Sequence, residues 1–292
     1  MLVVYSQDFL KHSFAYHPES PERILSIKKV LDENGFAEYI EPARVDEKKL
    51  IAAHSKRLID ELKMRSRSCS GTSDNPFAEN TFEIAKLSAG AALQAAKHAS
   101  ENAFSLARPP GHHAGRDFFG GFCYLNNIAI AVSNIIKKYG RVLIVDFDVH
   151  LGQGTMDIFS GNDAVFYLSF HQDENTIYPW QKYPVRDFTT ELVPIMTGTT
   201  DKQYLAIFKK VFNKVLHNFE PNLIACSAGF DMFYRDAPYV GTALRIKEIS
   251  TFKKIGLIIA NSKIPRFAVL EGGYEPESLG MRVYNFLEGW QK

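Results

Sequence analysis

Three side chains that can bind a metal ion or move a proton stand at alternate positions of one short segment, Asp146, Asp148 and His150. The segment follows the apolar run 142–145, which predicts a buried strand. Side chains two residues apart share one face of an extended chain, so these three can converge at the end of that strand. In α/β proteins, ligands bind at the carboxyl ends of parallel strands. Taken alone, this segment fits a chemical site and an aspartate pair that caps a turn after a buried strand equally well.

An Asp and a His separated by one residue, together with one more Asp, would give a metal three protein ligands and an open position. Hydrolytic zinc uses this arrangement, because the open position holds the attacking water. A candidate for the further carboxylate is Asp231, which follows the apolar run 223–226. Taken alone, Asp231 is better explained as the N-cap of a helix or as a turn residue.

Adjacent histidines, His112 and His113, lie in segment 108–115, where two prolines and two glycines predict a loop after a strand. Amide hydrolysis needs a base that activates water and an acid that protonates the leaving amine, and histidine can serve as both near neutral pH. The alternative is a solvated surface pair. A further strand end, 267–270, leads through two glycines to Tyr274, which is otherwise a half-buried aromatic. Together, four such strand ends are poorly explained by chance.

Composition predicts one large α/β domain spanning residues 1–292, since 46% of the 292 residues are hydrophobic. Short apolar runs alternate with helical patterns, which is typical of a parallel sheet covered by helices. We predict strands at 2–5, 103–107, 141–147, 164–170, 222–227 and 266–270. We predict helices at 21–34, 81–99, 126–139, 201–218, 246–261 and 277–290. The polar stretch 63–75 and the Pro-containing stretch 171–190 are predicted to be irregular.

Charge and cysteine content limit the partners that the sequence favours. Lys and Arg number 34 against 33 Asp and Glu, so the formal net charge of +1 gives no global attraction to nucleic acid or to an anionic membrane. The three cysteines lack metal-site or disulfide spacing, which favours a reducing, cytoplasmic setting. The sequence shows neither a signal-peptide pattern nor a run of about 18 apolar residues, so we expect a protein that is neither exported nor membrane-spanning.

With these motifs in order, the chain resembles the zinc-dependent histone deacetylases and their relatives, the acetylpolyamine amidohydrolases and acetoin utilisation proteins. The resemblance runs from the His-Pro-Glu-x-Pro-x-Arg motif at 17–23 to the Leu-Glu-Gly-Gly-Tyr motif at 270–274, and includes Ser-Ala-Gly-Phe-Asp at 227–231. These motifs look like those of the class II and bacterial branch. The resemblance implies the arginase/deacetylase α/β fold, with an eight-stranded, mainly parallel sheet between helices.

The resemblance implies that Asp148, His150 and Asp231 bind one catalytic metal ion per chain, zinc or ferrous iron. His112 and His113 would be the tandem histidines of the family. The implied reaction is hydrolysis of an N-acetyl amide, in which His113 moves the protons of the water and the leaving amine. The implied substrate is an acetylated lysine of a peptide or protein, or a small acetylated amine.

Further site residues are carried over in the same way. Asp146 would be the carboxylate partner of His112, and Tyr274 would polarise the scissile carbonyl. Phe122 and Tyr178 would form the aromatic walls of an acyl-lysine tunnel, and Gly121 would offer a backbone carbonyl to the acylamide.

Residues around this tunnel are also implied. Asp74 would hold substrate backbone amides at the rim, and Arg23 would line an inner channel. A structural potassium site would lie beneath the zinc, formed by Ser169, Phe170 and the main-chain oxygens of Asp146, Asp148 and His150.

The chain departs from the family pattern next to the chemistry. Many members carry Asp or Asn where this chain has Gln153, and a second His where it has Leu151. A neutral amide can still accept the ring N–H of His113, but it stabilises an imidazolium less than a carboxylate does.

Other activities are less favoured by the sequence. A two-manganese ureohydrolase of the arginase type would need further carboxylates, and the segment 227–231 offers one. A non-catalytic acyl-binding module is favoured only by Gln153. Acetylpolyamine hydrolysis is the nearer alternative, although the expected gatekeeper region, Pro238 and Tyr239, is uncharged. The sequence leaves the native metal and the oligomeric state open.

Overall fold

A computed structural model describes residues 1–182 and 188–292. Within these residues, eight strands form one sheet in the order β2-β1-β3-β8-β7-β4-β5-β6, and every pair of neighbours is parallel. The strands are β1 (Leu2–Val4), β2 (Glu38–Ile40), β3 (Phe104–Ser105), β4 (Val142–Asp146), β5 (Val165–Gln172), β6 (Thr190–Ile195), β7 (Leu223–Ala228) and β8 (Arg266–Leu270). The predicted eight-stranded α/β fold is confirmed, and the sheet is parallel throughout.

Helices form most of the connections between these parallel strands. They are α1 (Pro21–Glu33), α2 (Glu47–Leu50), α3 (Lys56–Ser68), α4 (Thr81–Lys97), α5 (Asn127–Tyr139), α6 (Gln153–Phe159), α7 (Asp201–Phe219), α8 (Ala237–Val240), α9 (Ser250–Ala260) and α10 (Pro276–Trp290). Helix α10 packs against α1 and α9, and α4 packs against α5. Every residue of the central strands β4, β7 and β8 is buried, because helices and loops cover both faces of the sheet there. No helix in the described part of the chain is long and apolar enough to cross a membrane.

Among the described residues, the sequence prediction missed two edge strands and four helices, α2, α3, α6 and α8. β2 has only three residues, too few for a periodic pattern, and β6 contains Pro194, which weakens a strand prediction. The prediction of an irregular stretch at 63–75 is wrong for its first part, because α3 continues to Ser68. This helix buries the apolar face formed by Leu58, Ile59 and Leu62. The stretch predicted irregular at 171–190 begins with the end of β5, and residues 183–187 lie outside the described residues.

The strand order explains why distant motifs meet. β3, β8, β7, β4 and β5 are consecutive neighbours in the sheet. The tandem-histidine loop follows β3, Tyr274 follows β8, Asp231 follows β7, and Asp148 follows β4. Since all these strands run in the same direction, their carboxyl ends bring the four segments to one edge of the sheet.

Candidate active site

The three predicted metal ligands meet at this edge. Asp148, His150 and Asp231 are buried, and each offers a ligand atom within 4.8 Å of the others. Nδ1 of His150 lies 2.9 Å from Oδ1 of Asp148 and 3.1 Å from Oδ2 of Asp231. Despite this proximity, Oδ2 of Asp231 is buried without a hydrogen-bond partner of good geometry among the described residues.

The electrostatics of this group fit a divalent cation. Burial and the neighbouring charge of Asp148 raise the pKa of Asp231 above its usual range. A carboxylate oxygen with no hydrogen-bond donor, facing a second carboxylate and an imidazole, is costly to bury unless a cation binds there. Two carboxylate oxygens and one imidazole nitrogen form a donor set that suits zinc and leaves an open coordination position.

The tandem histidines have different partners. Nδ1 of His112 lies 3.0 Å from Oδ2 of Asp146, and the same oxygen accepts the hydroxyl of Tyr167 at 2.9 Å. Nδ1 of His113 lies 2.7 Å from Oε1 of Gln153. An amide oxygen only accepts, so His113 carries its proton on Nδ1 and keeps the lone pair of Nε2 free. The two rings lie 4.0 Å apart between centroids.

These partners separate the pKa values of the two histidines. Burial opposes the charge of His112, but Asp146, and after it Asp148, outweigh burial and raise the pKa of His112 to about 10. Burial and the neighbouring charges of His112 and His150 hold the pKa of His113 well below its usual range. His112 is therefore charged and His113 neutral near neutral pH, which equips His113 to accept a proton.

Tyr274 is held from both sides. The guanidinium of Arg23 lies 4.7 Å from the centroid of the Tyr274 ring, and its Nε donates to the carbonyl of Gly273 at 2.5 Å. On the other side, Oδ1 of Asp236 accepts the backbone N–H of Tyr274. Arg23 thus lies behind Tyr274, outside the lining of the cavity in front of it. Burial raises the pKa of the Tyr274 phenol, so it stays a hydrogen-bond donor.

Glycine is required next to Tyr274 for space as well as for conformation. A Cβ on Gly272 would collide with the carboxylates of Asp148 and Asp231. Gly273 has φ of +120°, which L-residues rarely adopt. The glycine pair therefore lets the backbone pass close to the metal-ligand candidates.

A cavity of about 210 Å³ opens onto this group. It is lined by Asp74, His113, Gly121, Phe122, His150, Tyr178, Trp180, Tyr239, Val240 and Tyr274. The ring centroids of Phe122 and Tyr274 are 5.6 Å apart, and those of Tyr178 and His113 are 4.8 Å apart. Oδ2 of Asp74 accepts the backbone N–H of Gly121 at 2.9 Å, which fixes this carboxylate at the rim.

Two lining residues were not assigned from the sequence, Trp180 and Val240. Trp180 is 67% exposed and follows Tyr178 by two positions, so its proximity to the predicted tunnel wall was the available signal. Val240 belongs to the short helix α8, directly after the predicted gatekeeper region.

The residues of the predicted potassium site lie beside the metal-ligand candidates. Ser169 and Phe170 are buried in β5, where Ser169 pairs in register with Asp146 of β4. The Ser169 hydroxyl lies 2.9 Å from Nδ1 of His171. The two predicted side chains are therefore next to the strand end that carries Asp146, Asp148 and His150.

Known proteins match this chain both in sequence and in fold. The sequence profile of the histone deacetylase domain matches residues 17–289. A probable deacetylase of Methanothermobacter thermautotrophicus is 33% identical over 99% of this chain and 90% of its own length. The crystal structure of the HDA15 HD domain superposes with a TM-score of 0.91 at 28% identity, covering 99% of this chain and 87% of that domain. The acetylpolyamine aminohydrolase of Burkholderia pseudomallei gives 0.88 at 27% identity, covering 99% and 98%.

The domain match covers all the motifs described above, and the two similar structures superpose on 99% of the chain. One of these relatives is named a probable deacetylase and another an acetylpolyamine aminohydrolase. This chain belongs to the histone deacetylase family of amide-hydrolysing enzymes.

Proposed function

We propose that this chain is a zinc-dependent hydrolase that removes acetyl groups from lysine side chains. The cavity carries the proposal, because its aromatic walls lead to His113, His150 and Tyr274. Its volume of about 210 Å³ is below the roughly 300–1,000 Å³ typical of drug-sized ligand sites. A slender, extended acyl-lysine chain suits such a space better than a bulky ligand.

The metal would be held by Asp148, His150 and Asp231. When bound, zinc lowers the pKa of a coordinated water and polarises the substrate carbonyl. Ferrous iron is the alternative metal. We also propose the potassium site formed by Ser169, Phe170 and the neighbouring main-chain oxygens.

The chain's own groups would move the protons. His113 accepts the proton of the attacking water at Nε2, because its Nδ1 already carries a proton that it donates to Oε1 of Gln153. The same nitrogen then donates this proton to the departing amine. The positive charge of His112, supported by Asp146, stabilises negative charge that develops nearby. The Tyr274 hydroxyl donates to the acyl oxygen as it becomes an oxyanion.

Acetylpolyamine hydrolysis is the second candidate, and one similar structure is named for it. A polyamine carries further ammonium groups, which bind best beside carboxylates. Among the described residues that line the cavity, Asp74 provides the carboxylate that could bind such an ammonium group. One of its oxygens already accepts the N–H of Gly121. The uncharged Tyr239 and Val240 complete this part of the lining. These contacts support acetyl-lysine over acetylpolyamine.

The setting we propose is the cytoplasm. Cys69, Cys123 and Cys226 are free thiols, which suits a reducing compartment. The proposed partners are acetylated lysine peptides or proteins, or a small acetylated amine, with no direct binding to nucleic acid or membrane.

A substrate panel tests the assignment. The ratio of kcat/KM values measures discrimination between an acetyl-lysine peptide, acetylputrescine and acetylspermidine. We expect kcat/KM for the peptide to exceed that for both polyamines by about tenfold or more. A factor of ten corresponds to about 1.4 kcal/mol of differential transition-state stabilisation. Tyr239→Glu should reduce this ratio by adding a carboxylate, and Tyr239→Phe should preserve it. A preference of the unmodified enzyme for acetylspermidine would reject acetyl-lysine as the substrate class.

A further inference from the structure

We propose that Glu271 is a positioning residue that anchors the backbone of the tandem-histidine loop, and through it the imidazoles of His112 and His113. The proposal rests on the proposed function, since it assigns how this chain holds its proton-transfer groups in place.

Glu271 links three segments that lie at the carboxyl ends of the strands. It directly follows β8 and is completely buried. Its Oε2 accepts two consecutive backbone N–H groups, from Gly111 at 2.8 Å and from His112 at 3.2 Å. Its Oε1 accepts the hydroxyl of Ser227, which lies in β7, at 3.0 Å. One side chain therefore ties the loop after β3 to β7 and β8.

The loop needs an acceptor from outside itself. Gly111 and His112 follow two prolines and lie in neither a helix nor a strand. Their N–H groups are buried, and a buried N–H without an acceptor costs about 1–3 kcal/mol. Glu271 satisfies both groups. Its own backbone is held in turn, because its N–H donates to Ala228 at 2.9 Å and its carbonyl accepts Arg23.

The anchored backbone sets the two rings. The His112 ring must reach Asp146 and the His113 ring must reach Gln153, at 3.0 and 2.7 Å respectively. A shift of the loop by about 1 Å would lengthen one or both contacts beyond hydrogen-bond distance. Misplacement by about 1 Å can lower turnover about 100-fold, because proton transfer depends on the position of the base.

Hydrogen bonding, rather than negative charge, is the property that the proposal assigns to Glu271. A glutamine has the same length, and its Oε1 can accept both backbone N–H groups while its Nε2 donates to Ser227. A leucine has similar bulk and accepts neither. Glu271→Gln should therefore preserve the anchor, and Glu271→Leu should remove it.

Asp201 offers a matched control. Its carboxylate also accepts two consecutive backbone N–H groups, from Lys247 and Glu248, both at 3.1 Å, and a hydroxyl from Thr251 at 2.7 Å. None of these partners lines the cavity. Asp201→Leu therefore removes the same pattern of hydrogen bonds at a more exposed place, away from the proton-transfer groups.

The experiment compares the zinc-loaded enzyme and its variants on an acetyl-lysine peptide. We expect Glu271→Leu to lower kcat by about 10-fold to 100-fold, with KM and metal content changing by less than about twofold. Glu271→Gln should keep kcat within about threefold of the unmodified enzyme. Asp201→Leu should lower the melting temperature without lowering kcat.

Amide hydrogen exchange supplies a readout independent of turnover. Segment 108–115 should exchange faster in Glu271→Leu than in the unmodified enzyme, and Glu271→Gln should restore slow exchange. Equal kcat in Glu271→Leu and the unmodified enzyme, or unchanged exchange in this segment, would overturn the proposal. So would an equal loss of kcat in Asp201→Leu. An unmodified enzyme that protects segment 108–115 through Glu271 but cleaves no acetyl-lysine peptide would instead reject the proposed function.

Discussion

Oε1 of Gln153 lies 2.7 Å from Nδ1 of His113, so the group that moves protons in the proposed mechanism is supported by a neutral amide. Its neighbour His112 is supported by the carboxylate of Asp146. This difference assigns charge to His112 and the free lone pair to His113. We therefore expect residue 153 to influence the pH dependence of the reaction.

Gln153→Glu replaces this amide with a carboxylate of the same length. A negative charge beside Nδ1 favours the imidazolium and raises the pKa of His113 from its lowered value. The base then becomes protonated at higher pH, so the acidic limb of the kcat/KM profile should move upward. Gln153→Met, which has similar length and no charge, should not move the limb upward. Superimposable acidic limbs for Gln153→Glu and the unmodified enzyme would show that the pKa of His113 does not depend on residue 153.

Alanine substitutions of the tandem histidines should have unequal effects. His113→Ala removes the group that accepts and donates the proton, a contribution of typically 10²–10⁴-fold. His112→Ala removes a buried positive charge but leaves the proton-transfer group, so we expect a smaller loss of kcat. Steady-state kinetics at matched metal content measures both. A larger loss for His112→Ala would exchange the two roles.

Tyr274→Phe should lower kcat by about 10²-fold or more, because the phenol stabilises the developing oxyanion more than it stabilises bound substrate. Arg23 and Asp236 hold the backbone and ring of residue 274 through contacts that a phenylalanine keeps. KM and metal content should therefore change little. A variant with near-normal kcat at full metal occupancy would remove the Tyr274 hydroxyl from the mechanism.

His54 should make the folded state less stable in mild acid. Its Nδ1 donates to the carbonyl of Gly115 at 2.8 Å, and its Nε2 accepts the N–H of Asn126 at 2.9 Å, so the ring is buried in its neutral form. Burial lowers the pKa of His54 from 6.5 to about 4. The stability it contributes is present above about pH 6.5 and is lost as the pH falls to about 4.

The corresponding change in the free energy of unfolding is on the order of 3 kcal/mol, since one pKa unit corresponds to about 1.4 kcal/mol. Urea unfolding at several pH values measures it. His54→Asn keeps a donor near Gly115 but cannot titrate, so its stability should depend less on pH between these limits. An identical pH dependence in both proteins would contradict the assignment.

Local patterns predicted the central elements well. The apolar run before Asp146 and the segments before Asp231 and Tyr274 are buried strands, and their order in the sheet brings the predicted residues together. The sequence motifs were enough to predict this grouping because each motif lies directly at the end of a strand. The edge strands β2 and β6 were missed, since a three-residue strand and a strand containing Pro194 carry weak patterns.

Contacts between distant segments were harder to predict. Glu271 accepts the N–H of Gly111, which lies 160 positions away in the sequence. No local spacing of residues predicts such a hydrogen bond. Asp236 likewise supports Tyr274 from a short 3-10 helix that leads into α8. The backbone next to Tyr274 is held in the same way, since Arg23 donates to the carbonyl of Gly273 and Asp236 accepts the N–H of Tyr274.

Metal content measured together with turnover tests the central claim most directly. Asp148, His150 and Asp231 provide one three-ligand group, so one zinc or ferrous ion per chain should accompany full activity. Chelation should abolish acetyl-lysine hydrolysis, and titration with zinc should restore it at about one equivalent. Asp231→Ala should bind no catalytic ion and remain inactive after zinc is added. Two transition-metal ions per active chain would contradict the account in favour of a ureohydrolase-type centre, and undiminished turnover after complete metal removal would contradict metal dependence altogether.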